Sequence, residues 1–171
     1  MNLIYTDFYN SPCGELLIGS YQNTICLCDW NLSERRAKID ETLLRDFNAK
    51  YELKETTLIS ETKSQLDKYF AGKLQEFNID MSIGGSIFQQ LVWTELCNIK
   101  YGVTISYKDL AERLGRPTSV RAIANAIRLN PISILIPCHR IIGTDGSLTG
   151  YAGGLEAKEF LINLEAKTKD F

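Results

Sequence analysis

The hydrophobic pattern of this chain changes period partway along its length, and that change restricts it to a mixed fold. In residues 1–30 apolar and polar residues alternate through LIYTDFY, ELLIGSY and TICLCDW, with SPCG and QN as turns between the runs. Alternation at period two lines up every second side chain on one face of a strand, and tight turns join such strands as antiparallel neighbours. A β-meander is predicted. From residue 86 the spacing is helical. SIFQQLVWTELCNI sets Phe88, Leu91, Val92 and Leu96 on one stripe behind a capping Ser86, and YKDLAERLG follows a capping Ser106 and stops at Gly115. Between these regions the pattern predicts a helix from Ser33, its N-cap, to about Asn48. A second runs from about Ser60 to Phe70, with Gly72 past its end, and LQEFNIDMS is extended. The fold class is α+β: an N-terminal α/β domain with a small antiparallel sheet, about 1–79, and a C-terminal helical domain, about 80–171. Gly84-Gly85 is the best candidate for the junction.

The 171 residues are 44% hydrophobic and 23% charged, which excludes a disordered or collagen-like chain. The longest uncharged run, Met81 to Thr94, is too short and too polar for a membrane span of about 20 apolar residues. The N-terminus lacks the basic-then-apolar order of a signal peptide, so the expected location is the cytoplasm. The five cysteines, Cys13, Cys26, Cys28, Cys97 and Cys138, are then free thiols. Cys26 and Cys28 would share one strand face as small apolar fillers. No C-x-x-C pair exists and His139 is the only histidine, so no metal or cofactor is expected.

The net charge of -2 conceals an asymmetry. Residues 1–80 carry 9 Lys+Arg against 13 Asp+Glu, whereas residues 81–171 carry 10 against 8. Lys108, Arg113, Arg116, Arg121, Arg128 and Arg140 face only Asp109 and Glu112 over that stretch, and phosphate binding responds to such local excess. A helix from about Ser119 to Leu129 follows the YKDLAERLG helix after a short turn, which makes a helix-turn-helix candidate. Val120, Ile123, Ala124 and Ile127 cluster on one side of it. Arg121, Asn125 and Arg128 cluster on the other, flanked by Ala122 and Ala126. Small residues allow a backbone to approach a nucleic-acid groove, while arginine reaches phosphate or inserts. The same pattern also fits a solvated amphipathic helix.

The apolar run Ile132 to Ile136 is strand-like, and Pro137-Cys138-His139-Arg140 follows it at once. A free thiol is only a few per cent ionised at neutral pH, and a neighbouring imidazole oriented by a carboxylate raises that fraction. The tetrapeptide alone also fits a buried structural cysteine beside a surface histidine.

IPCHRII followed by GYAGG resembles the active-site region of the O6-alkylguanine-DNA alkyltransferases. The resemblance runs through FQQLVW at 88–93, TISYKDLA at 104–111, RAIANAIRLNP at 121–131 and GYAGGLEAKEFLINLE at 150–165. It extends more weakly to SPCGELLIGS at 11–20 and QLDKYFAGKLQEF at 65–77. It implies a ribonuclease H-like first domain and a winged-helix-like second one. It implies a single-turnover DNA repair protein whose Cys138 takes the alkyl group from O6-alkylguanine, and possible action on O4-alkylthymine. By the same resemblance His139 is the base acting through a water, Glu165 orients His139, Asn130 braces the turn, and Tyr107 donates to guanine N3. Arg121 enters the duplex where the nucleotide leaves, with Ala122, Asn125 and Arg128 on the DNA-facing side. Tyr151, Ala152 and Gly153 wall the pocket, and backbone groups at Cys138, Ile141 and Ala152 meet the guanine edge. The implied partner is alkylated double-stranded DNA, entered through the minor groove by a monomer, with no membrane partner. Several relatives carry two glycines where this helix has Ala124-Asn125, and some a small residue at Leu129, which bears on how closely the helix seats.

Three rivals remain at this point. A non-catalytic lesion binder would lack the acceptor cysteine. A helix-turn-helix regulator leaves Cys138, His139 and Glu165 unused. A thiol hydrolase has no oxyanion-hole signature here.

Overall fold

The computed structural model describes residues 1–31 and 34–171. The alternating N-terminal runs form β1 (Asn2–Ser11), β2 (Gly14–Tyr21) and β3 (Thr24–Trp30), paired antiparallel in sequence order. Helix α1 (Arg36–Asp46) follows, and the Ser33 cap lies outside the described residues. A strand that the sequence pattern did not predict, β4 (Ala49–Leu53), then pairs parallel with β1. The sheet order is β3-β2-β1-β4, so the antiparallel meander becomes a mixed sheet of four strands. Only Ala49 of β4 is buried, which leaves almost no alternation to read.

Helix α2 (Thr57–Phe70) starts earlier than the apolar spacing indicated, because Thr56 supplies the cap by accepting from the Ile59 amide at 3.2 Å. Ile4, Leu27, Ile39 and Leu43 form a small core between the sheet and α1. On the opposite face one larger core runs from Leu16 and Ile18 through Leu66 and Tyr69 to Val92, Leu96, Ile136 and Leu161. The two halves of the chain therefore share a core.

A β-bulge in β3 redirects its cysteines. The register slips between Gly19 and Ser20, so Ser20 pairs with Ile25 but Gly19 with Leu27. Cys26 is the extra residue. It turns to the α1 side while Cys28 faces the large core, so the two do not share a face.

Helix α3 (Ile87–Cys97) opens with a full capping box between Ser86 and Gln89. Its buried stripe is Val92, Trp93 and Leu96. Leu91 is exposed, because the Trp93 indole turns inward and donates to the Ala126 carbonyl at 2.8 Å. The short strand β5 (Ile105–Ser106) leads into α4 (Tyr107–Arg113), capped by Ser106 and Asp109. Helix α5 (Val120–Arg128) packs against both α3 and α4. Ala126 and Leu129 are buried, so the outer face is narrower than expected and consists of Arg121, Ala122, Asn125 and Arg128. After a single 3₁₀ turn at Cys138–Arg140 comes β6 (Ile141–Ile142), parallel to β5, and the chain closes with α6 (Leu155–Thr168). No helix among the described residues is long and apolar enough to cross a membrane.

Candidate active site

The run Ile132–Ile136 is not a regular strand. It bridges the edge of β3, where Cys28 N–H donates to Pro131 O at 2.9 Å and Ser133 N–H donates to Cys28 O at 2.7 Å. Ile134 then takes a left-handed backbone, φ 71. A β-branched residue adopts that conformation at a cost of ~1–2 kcal/mol, so the turn must be held from outside. Asn130 holds it. Its amide donates to Ile136 O at 3.1 Å and its carbonyl oxygen accepts from Ile132 N–H at 3.0 Å. Arg35, buried between the halves, donates to Asn130 O at 3.0 Å and pairs with Asp29. This delivers Cys138 and His139 in one rigid turn.

Cys138 lies at the floor of a cleft of about 1230 Å³ that Tyr107, Arg121, Arg128, Tyr151, Ala152 and Gly153 also line. Burial pushes its thiol up, with the Asn130 amide and the Arg35 and Lys158 charges pulling it back. The His139 ring is fully buried. Its Nε2 lies 2.7 Å from Glu165 Oε1, and its Nδ1 has no protein partner. Burial lowers the imidazole pKa below its ordinary value, partly offset by Glu165, so the ring is neutral at pH 7.

Glu165 on α6 is not a solvated helix residue: it is 1% exposed. Besides His139 it accepts from Tyr69 Oη at 2.7 Å, Arg140 Nε at 2.9 Å, Arg140 Nη2 at 3.0 Å and Gly102 N–H at 3.1 Å. Burial pushes this carboxyl up, but the His139 and Arg140 hydrogen bonds and charges outweigh it and hold the group well below the usual carboxylate range.

Ile141 does not wall the cleft. It is fully buried, and its N–H donates to the Cys138 carbonyl to close the 3₁₀ turn, so that amide is not free for a ligand. Ala122 and Asn125 stand on the exposed face of α5 outside the cleft lining. Lys158, Arg140, Tyr69 and Arg35 are site residues that the sequence reading missed. Lys158 is 1% exposed and donates to Thr149 O at 2.8 Å, bracing the loop before Tyr151, and burial lowers its pKa to about 8. One signal existed: Lys158, Leu161 and Glu165 recur at helical spacing, which puts two charges on the inner stripe of α6.

Gly153 is required by close approach. A Cβ there would meet the Trp30 ring at 2.4 Å, and that ring stacks edge-on against Tyr151 at 5.8 Å. Gly153→Ala is expected to cost ~1–3 kcal/mol through overpacking and to displace the cleft wall, measurable by urea denaturation. Unaltered stability would show that Trp30 yields freely.

A buried thiol at the base of a cleft, an imidazole–carboxylate pair behind it and a basic helix-turn-helix on the rim define a cysteine-dependent protein that acts on nucleic acid. The comparisons give the family. Residues 87–167 match the model of the 6-O-methylguanine DNA methyltransferase DNA-binding domain, and residues 4–83 match that of the same family's ribonuclease-like domain. The chain belongs to this family. A methylated-DNA–protein-cysteine methyltransferase of Methanosarcina barkeri is 40% identical over 162 residues, which cover 95% of this chain and 97% of the relative. One of Haemophilus influenzae is 40% identical over 166 residues, 96% of this chain and 88% of the relative. The Mycobacterium tuberculosis OGT crystallised with DNA superposes with a TM-score of 0.80 at 33% identity, covering 97% of this chain and 94% of that one.

Proposed function

We propose that Cys138 is the acceptor through which this chain repairs O6-alkylguanine in DNA, by one irreversible transfer per molecule. The observation that carries the reading is the placement of the Cys138 thiol in a cleft bounded by α5, next to a buried His139 whose Nδ1 is unused by the protein. In the half-reaction at sulfur, the thiol proton passes through a water to His139 Nδ1. The thiolate attacks the alkyl carbon in line, an S–C bond forms, and the C–O6 bond breaks with its electron pair going to guanine. Tyr107, at the N-terminus of α4 and on the cleft wall, donates to guanine N3 and so stabilises the charge developing on the leaving base. Glu165 keeps the imidazole oriented and balances its charge. The product is a thioether, for which the site holds no cleaving chemistry.

The alkylated atom lies inside the base stack, so the nucleotide must leave the duplex to reach the cleft. Arg121 is exposed, begins the outer face of α5 and also lines the cleft, which suits it to the space the nucleotide vacates. Small Ala122 beside it favours close approach to the minor groove of double-stranded DNA, with Asn125 and Arg128 on the same exposed face, and the protein acts as a monomer. In this reading the scaffold is residues 1–79, while residues 80–171 carry the DNA helix and the acceptor. Mass spectrometry after incubation with an O6-methylguanine duplex tests the core of it. One methyl group on Cys138 is expected, and an unmodified Cys138 after complete repair would overturn it.

Arg121→Ala should slow transfer by roughly 10–100-fold in duplex DNA, where extrusion costs a few kcal/mol, and far less in a single strand. Reaction with free O6-benzylguanine should hardly change. An equal loss on all three substrates in single-turnover assays at saturating protein would make Arg121 a structural residue. Arg128→Ala should instead weaken binding to every sequence and flatten the salt dependence by about one charge.

A further inference from the structure

Tyr69 sits on α2, in the half of the chain that carries no acceptor residue, yet its hydroxyl reaches Glu165 Oε1 at 2.7 Å. The side chain is fully buried. Its ring is locked by Phe70 at 5.3 Å, Phe77 at 5.4 Å and Tyr101 at 6.0 Å. Burial, and then the Glu165 charge, raise the phenol far above its ordinary range, so it remains a donor throughout the working pH range. The same carboxylate oxygen also serves His139 Nε2 and Arg140 Nη2. Each hydrogen bond donated to a carboxylate stabilises its charge and so leaves it a weaker acceptor toward the other donors on the same oxygen.

We propose that Tyr69 is a positioning residue of the acceptor site: its hydroxyl fixes the Glu165 carboxylate against His139 and takes a share of the charge the imidazole would otherwise face. The inference rests on reading His139 as the base. It gives the N-terminal half a part in the transfer step at the base, beside the Arg35 contact to the acceptor turn, delivered by a phenol across the shared core. Among the described residues, the titratable and charged groups around the imidazole and its carboxylate are Glu165 and Lys158 from α6, Arg140 and Cys138 beside it in the chain, Tyr151 from the cleft wall, Tyr101 against Arg140, and Tyr69 behind Glu165. Of these, Tyr69 alone comes from the first half.

Tyr69→Phe keeps the ring and removes only the donor. Glu165 then gives more of its charge to His139, which becomes more basic. The acid limb of the pH–rate profile, where a protonated His139 no longer accepts the thiol proton, should move up by roughly 0.5–1 pH unit. Tyr9→Phe is the control. Its hydroxyl donates to Asp67 on the same helix at 2.7 Å, so it loses an equivalent bond that does not involve Glu165. The measurement is single-turnover transfer from an O6-methylguanine duplex at saturating protein, from about pH 5 to pH 9, for the parent, both phenol variants and His139→Gln. A shifted limb in Tyr69→Phe, with Tyr9→Phe on the parent curve, is the expected result. A Tyr69→Phe limb that coincides with the parent, or shifts that are alike in both phenol variants, would overturn the proposal while leaving His139 as base. A limb that persists in His139→Gln would instead remove the base assignment, and the Tyr69 role with it.

Discussion

Cys138→Ala should abolish transfer from O6-methylguanine DNA and leave both the fold and the affinity for DNA close to the parent's. The thiol is 6% exposed and one small member of a large core, so its loss removes little packing. The proposed DNA contacts, Arg121 and Arg128, lie on α5 and not on the acceptor turn. No other thiol offers a substitute. Burial pushes Cys26 up to about 12 and Cys28 higher still, and both lie inside the sheet cores. Cys13 is half-buried and raised, and Cys97 ends α3; neither lines the cleft. Intact mass and a gel-shift assay on the same preparation separate the two effects. Stoichiometric methyl loss from DNA in this variant would mean that another residue is the acceptor.

Local signals carried much of the architecture. The capping serines Ser86 and Ser106 stand where helices begin, and the meander strands follow their alternation, because both effects act within a few residues. Where the reading departed from the structure, a partner distant in sequence decides the conformation. Ile132–Ile136 looks like a strand, but Asn130 and the edge of β3 fold it into a turn with Ile134 left-handed. Leu91 sits on the apparent apolar stripe, yet α3 is rotated by the bond from Trp93 to Ala126, thirty-three residues on. Cys26 leaves the face of Cys28 through a bulge whose one local marker, Gly19 inside β2, lies on the partner strand and not in the run that holds the cysteines. The acceptor turn was legible because Pro137-Cys138-His139-Arg140 is contiguous. Its support was not: Tyr69 is 96 residues from Glu165, and Arg35 is 95 from Asn130. Such contacts are set only once the shared core has formed.

Removal of either member of the His139–Glu165 pair should slow transfer by roughly 10²–10⁴, the range for loss of a positioned acid–base group. The two losses should not look alike in stability. His139→Ala deletes a neutral ring and leaves Glu165 paired with Arg140. Glu165→Ala strands the Arg140 guanidinium, 7% exposed, without its counter-charge, and breaking a buried pair in this way costs ~3–5 kcal/mol. Acid acts in the same direction. His139 has a depressed pKa, so its neutral burial is lost as pH falls below its ordinary 6.5. Glu165 is held below its ordinary 4.5, so its contribution is present above that value and disappears only as pH falls further. The His139 contribution is therefore lost at higher pH than the Glu165 one, and the loss below pH 4.5 should be smaller in Glu165→Ala than in the parent, the remainder coming from other carboxyls held low, such as Asp7 beside Lys63. Rates test whether the pair acts as one unit. If Glu165 works only through His139, the double variant should be about as slow as His139→Ala alone, since residues acting as a unit are non-additive. Losses that multiply in the double variant would show Glu165 contributing by a separate route, through Arg140 and the Gly102 amide that share its second oxygen.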